Sequence, residues 1–237
     1  MSPPVFDTLG IAQCGFENSL ANSGTGASNA FSQSSGDLVG YSSSDPRVGS
    51  YALESARPTD PRVKLAHAGP SSFTFAFWWK SNSSKSPEDL VSGGVEYIFS
   101  TDGGLLGKFG CQVDPPGSPR DNAGKMCCID AASEWGSASY LCVPFTWTVG
   151  EWRHYAFTVS NNADLRVYEN GQLYHSFGET AGVAPLGLTT TLFATQFCLY
   201  TCSYILECPG LADNFYFTDT ALSAADVAGL YQVTTSY

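Results

Sequence analysis

A chain of 237 residues, 43% of them hydrophobic and 14% aromatic, is long and apolar enough to bury a core, and its 24 glycines suit a turn-rich β protein better than a disordered chain. Its 22 acidic against 11 basic residues, a formal charge of -11, exclude the basic surface that nucleic acid or an anionic membrane requires. No stretch approaches the roughly 20 consecutive apolar residues of a membrane-spanning helix, so no membrane insertion is expected.

The opening MSPPVFDTLG has no apolar core and does not read as a signal peptide. Eight cysteines are nonetheless many for a reducing compartment. Cys14, Cys111, Cys127, Cys128, Cys142, Cys198, Cys202 and Cys208 form no C-x-x-C pair, and the clusters have no neighbouring histidine, so disulfides are favoured over a metal site. The chain is therefore expected in an extracellular or surface-displayed setting, as a mature form or as part of a virus particle.

In chain order, the sequence predicts a short strand ending at Phe16-Glu17, an Asn/Ser/Gly loop, and a strand near Gly49 to Ser55. Ser71 to Ser81, SSFTFAFWWKS, is the strongest strand signal. Phe73, Phe75, Phe77 and Trp79 share one face and Thr74, Ala76, Trp78 and Lys80 the other, so the strand should be covered on both sides. Asn82-Ser83-Ser84 is an N-glycosylation sequon on Asn82. Val95 to Thr101 is the next strand. A cysteine-rich insert at about 105–148 then carries strands around Phe109 to Val113, Lys125 to Asp130 and Tyr140 to Thr146. Adjacent cysteines on one strand point to opposite faces, so one of Cys127 and Cys128 should pair across the sheet with Cys111 or Cys142 and the other elsewhere.

From Gly150 to Phe177 the pattern is a meander. Trp152, His154, Ala156 and Thr158 alternate with Arg153, Tyr155, Phe157 and Val159, a polar turn leads to Leu165, Val167 and Tyr168, and Asn170-Gly171 supplies a turn that tolerates positive φ. Thr189 to Leu199 and Leu211 to Thr218 read as further strands, with a cystine-pinned loop at Cys202 to Cys208 between them. Ala221 to Tyr231 is the one helix, with Ser223 as N-cap, Asp226 three residues on, and an apolar stripe of Leu222, Val227, Leu230 and Tyr231.

Four of these stretches carry a resemblance. W-x-H-x-A followed by L-R-V-Y-x-N-G-x-L at Trp152 to Leu173, the opening with Phe16, Glu17, Gly24, Gly26, Gly49, Ala52 and Leu53, the S-F-T…W-x-K strand, and G-L-x-D-N…A-L-S-x-x-D-V-x-x-L-Y at Gly210 to Tyr231 resemble, in register, the laminin G-like domains of the concanavalin A-like group. The resemblance implies an all-β fold: a two-sheet antiparallel β-sandwich, or jelly roll, of roughly a dozen strands with one short C-terminal helix. One such domain would span 1–237, with its core at about 14–232. It also implies calcium at a sheet rim, held by Asp213, Asn214 and Glu17, oxygen donors of the kind that ion prefers. SARPTD at Ser55 to Asp60 stands where the family often has an acidic D-G-x-x-D loop, and Asn214 replaces a second acid.

Related jelly rolls include glycoside hydrolases, whose retaining members need two carboxylates about 5 Å apart. The chain has no E-x-D-x-x-E run, nucleophile elbow, P-loop or H-E-x-x-H motif, so no enzyme is expected. His154, in mid-strand, reads as structural. An exposed aromatic beside a carboxylate suits sugar stacking, and Trp135, Glu134, Tyr140 and Trp147 in the insert form that set. The expected function is an extracellular module that binds a glycan or glycoprotein with calcium at the rim. The alternative is a structural, self-associating subunit of a cell surface, fibre or virion coat.

Overall fold

The computed structural model describes residues 12–15, 24, 31–33, 40–55, 63–66, 70–81, 96–101, 109–114, 124–130, 139–146, 148–161, 163–179, 189–192 and 210–235. They form fifteen strands and one helix. The strands are β1 (Ala12–Cys14), β2 (Phe31–Gln33), β3 (Gly40–Ser42), β4 (Ala52–Ser55), β5 (Val63–Ala66), β6 (Phe73–Ser81), β7 (Glu96–Thr101) and β8 (Phe109–Asp114). Then come β9 (Lys125–Asp130), β10 (Ser139–Pro144), β11 (Arg153–Ser160), β12 (Asp164–Glu169), β13 (Gln172–Glu179), β14 (Thr189–Leu192), β15 (Gly210–Thr218) and the helix α1 (Ala224–Thr235).

Two antiparallel sheets result. One runs β13-β12-β11-β6-β15-β4-β3, with β1 also paired to β15, and the other runs β10-β9-β8-β7-β14-β5-β2. Strand β6 lies between β11 and β15, as its two apolar faces require. Its inward row, Phe73, Phe75, Phe77 and Trp79, is at most 4% exposed. That row packs with Phe157 of β11 and Phe215 and Phe217 of β15, and from the facing sheet with Leu65, Met126, Cys128 and Val143. Phe75 and Phe217 stack at 5.0 Å and Phe77 and Phe157 at 6.2 Å, so aromatic contact ties the three central strands together.

The opposite face of β6 is built for a helix. Ala76 lies opposite Ala156 of β11, and the two small side chains leave a floor on which Leu222, Val227 and Leu230 settle beside Tyr168 and Tyr216. Thr74, fully buried, pins the approach to α1: its hydroxyl donates to the Thr220 carbonyl (2.7 Å) and accepts from the Leu222 N–H (3.0 Å). Ser223 caps the helix as its spacing predicts, its Oγ accepting the Asp226 N–H at 3.2 Å while the Asp226 carboxylate accepts the Ser223 N–H at 3.2 Å. The helix starts at Ala224, later than the predicted Ala221, and continues to Thr235 because nothing after Tyr231 breaks it.

The predicted meander is β11, β12 and β13 in adjacent positions. Asn170 (φ 50°) and Gly171 (φ 76°) form its tight turn, and a Cβ at Gly171 would lie 2.9 Å from that of Tyr231. The predicted count of about a dozen strands is low because β2, β3 and β5 are only three or four residues long, too short for alternation to declare them. Of the first predicted strand the structure describes β1, and Phe16 and Glu17 lie outside the described residues, as do residues 193–199 of the strand expected from Thr189.

Within the insert, β8, β9 and β10 are consecutive neighbours. Cys127 lies opposite Cys142, and the two are disulfide-bonded, with 4.1 Å between their Cα atoms. Cys128 is also disulfide-bonded, and its side chain joins the inter-sheet core. The adjacent cysteines thus serve opposite faces, with Cys142 as the cross-strand partner of Cys127. Register places Cys111 of β8 opposite Cys128. Cys14 ends β1, while Cys198, Cys202 and Cys208 lie outside the described residues.

Gly210 opens β15 between β6 and β4, and a Cβ there would meet the Lys80 carbonyl oxygen at 2.4 Å. A main-chain oxygen in the central pair cannot swing aside. Gly210→Ala is expected to cost about 1–3 kcal/mol, the range for overpacking a core. Urea denaturation of the variant checks this, and an unchanged midpoint would show that β15 can shift at no cost.

Candidate functional site

The residues nominated for calcium lead to the end of the first sheet that lies beside the C-terminal turns of α1. Asp213 of β15 is in register with Trp78 of β6, which is in register with His154 of β11. The three therefore form one row on the helix side of the sheet. Asp213 is fully buried. Its Oδ2 accepts the main-chain N–H groups of Arg47 (3.0 Å) and Val48 (2.8 Å), and its Oδ1 that of Asn214 (2.7 Å). A buried carboxylate needs such donors, and here they come largely from the segment between β3 and β4. The Asp45 carboxylate of that segment pairs with Lys80 of β6, which holds the loop at a second point.

Asn214 has φ 47° and stands where the β15–β6 register shifts between Asp213 and Tyr216. Asparagine is among the few residues other than glycine that tolerate this left-handed geometry, which the bulge imposes.

Calcium binds six to eight oxygens; of the nominated ones, the two Asp213 oxygens accept three main-chain N–H groups. No cluster of three or more His, Cys, Asp or Glu that holds a metal occurs among the described residues. Glu17 lies outside them.

Over the row lies an aromatic cluster. The Arg47 guanidinium carbon sits 4.2 Å from the centre of the Trp78 ring. Trp78 meets His154 at 5.4 Å and Tyr231 of α1 at 5.6 Å, and His154 meets Tyr231 at 5.8 Å. Trp78 and His154 are at most 2% exposed. Burial first, and the Arg47 charge second, push the imidazole down to about 3, so His154 is neutral at any ordinary pH. Its main-chain N–H donates to the Asn170 side chain at 3.0 Å and its carbonyl accepts the Asn170 N–H at 2.8 Å. Its placement is that of a core histidine.

A second polar group lies on the inward face at the start of β11. Arg153 pairs with Glu169 of β12 and donates to the Thr148 hydroxyl at 2.6 Å. The Tyr155 phenol donates to Glu169 at 3.3 Å, and burial with the Glu169 charge pushes its pKa upward, so it stays a donor. This group ties the link before β11 to the meander.

Of the insert residues nominated for sugar binding, Tyr140 lies on β10 opposite Ile129, while Trp135, Glu134 and Trp147 fall outside the described residues, as does Asn82. The sequence reading missed Arg47. No local signal marks it, since its N–H is held by Asp213, 166 positions away.

Comparison with known proteins places this geometry in a family. No curated protein sequence matches the chain. Botulinum neurotoxin type C, whose cell entry depends on interaction with two ganglioside molecules, matches at 14% identity and a TM-score of 0.67, over 97% of this chain and 52% of that one. The binding domain of botulinum neurotoxin serotype G matches at 11% identity and 0.67, over 96% and 51%. This chain thus spans about half the length of those toxin chains. Domain 4 of AbnA, a GH43 extracellular arabinanase from Geobacillus stearothermophilus, in complex with arabinotriose, matches at 16% identity and 0.67, over 95% of this chain and 100% of that one. These likenesses establish the fold. A family model matches residues 58–228, which span the β5-to-α1 body of both sheets, and by that match the chain belongs to the concanavalin A-like lectin/glucanases superfamily.

Proposed function

We propose that this chain is an extracellular binding module that recognises a glycan, free or carried by a glycoprotein. The observation that carries the reading is the match of 95% of this chain to the whole of a domain that holds arabinotriose. The toxin likeness, with its two gangliosides, points to the same ligand class. The described residues support binding over chemistry, because the buried Asp213 and the ion-paired Glu169 are both engaged in holding strands together. Disulfides at Cys127 and Cys128 fit an oxidising setting.

A glycan array probed with the oxidised chain, in calcium and again in EDTA, tests the reading. Saturable binding that survives EDTA is expected, since Asp213 is held by main-chain donors. A Trp135→Ala variant run in parallel reads whether the insert contributes contacts. Failure to bind any glycan in either buffer would overturn the reading and leave a self-associating coat or fibre subunit.

A further inference from the structure

Over the row of Asp213, Trp78 and His154 lies the guanidinium of Arg47. Lys80, Arg153 and Arg166 pair with Asp45, Glu169 and Asp164 respectively, as befits a chain with twice as many acids as bases. Among the described residues no carboxylate pairs with the Arg47 guanidinium, which lies over Trp78 and is partly exposed. Its main chain is fixed by Asp213, so the side chain starts from a rigid point.

We propose that Arg47, on its Trp78 platform, is a subsite for the carboxylate of an acidic sugar. This deepens the glycan-binding reading and rests on it. A guanidinium presents a planar fork of N–H donors that matches the two oxygens of a carboxylate. An aromatic ring below holds the fork and shields one side from water, which strengthens the pair. The surrounding acceptors do not compete. Asp213 is taken up by three N–H groups and Asp45 by Lys80. Tyr231, half-buried at the edge of the cluster, adds an aromatic surface for the sugar ring.

The test uses the full chain and two acidic probes, the methyl glycosides of N-acetylneuraminic acid and of glucuronic acid, each beside its neutral methyl ester. The Arg47 side-chain N–H resonance is followed by NMR during titration. One acid is expected to bind about tenfold tighter than its ester and to shift that resonance, as loss of a charge-assisted bond implies. Whichever acid does so identifies the sugar source. Arg47→Met, which keeps the stem over Trp78, should abolish the preference, and Arg47→Lys should restore only part of it. Equal binding of acid and ester, or a preference that survives Arg47→Met, would overturn the subsite while leaving glycan binding intact. If neither these probes nor any array glycan binds, the glycan reading falls and the subsite with it.

Discussion

Replacing Asp213 with alanine should destabilise the fold by about 4 kcal/mol, because three N–H donors lose a charged acceptor in one step and each orphaned group costs about 1–3 kcal/mol. For a chain of this size that corresponds to roughly 10 °C or more in melting temperature. The donors come from Arg47, Val48 and Asn214, so the variant frees the β3–β4 segment and the bulge of β15 together. Asp213→Asn should be milder, since one oxygen remains, but its amide NH2 would face an N–H group. Thermal unfolding followed by circular dichroism reads both variants. A loss below about 1 kcal/mol for Asp213→Ala would mean that the segment is held by other contacts. A wild-type melting temperature that rises sharply with calcium would reverse the assignment and make the carboxylate a ligand.

Acid should weaken the protein through His154. Above the ordinary histidine value of 6.5 the imidazole is neutral in both folded and unfolded chains and contributes no pH dependence. Below it the unfolded chain binds a proton that the folded chain refuses until about pH 3. Stability therefore falls with decreasing pH across that window, by about 1.4 kcal/mol per unit. By pH 4.5 the loss from this one group is roughly 2–3 kcal/mol, growing to more than 4 near pH 3. Burial among Trp78 and Tyr231 is the main cause, and the Arg47 charge adds to it. Denaturant unfolding at pH 7.5, 6, 5 and 4.5 measures the slope, and His154→Gln should flatten it. A wild-type slope that the substitution leaves unchanged would place the acid sensitivity in the carboxylates.

The parts of this fold that the sequence made legible are those where one physical rule acts alone. β6 declared itself because alternating positions are apolar on both faces, and both are buried. The Asn170-Gly171 turn did so because few residue pairs accept positive φ twice, and the capping box at Ser223 because its donors and acceptors are local. What stayed hidden depends on distant pairing. Strands β2, β3 and β5 have too few residues for a period and exist because neighbouring strands supply hydrogen bonds. The role of Asp213 was half legible. Its place after Gly210 was plain, but two of its three N–H donors come from residues 165 and 166 positions away. Arg47 was invisible for the same reason, since only the folded chain brings it over Trp78.

Titration of the full chain with the strongest oligosaccharide from the array, followed by amide NMR, bears most directly on the account. Saturable shifts confined to one contiguous patch, and unchanged when EDTA replaces calcium, are the expected result. No shifts at millimolar sugar, or shifts that appear only with calcium, would contradict it.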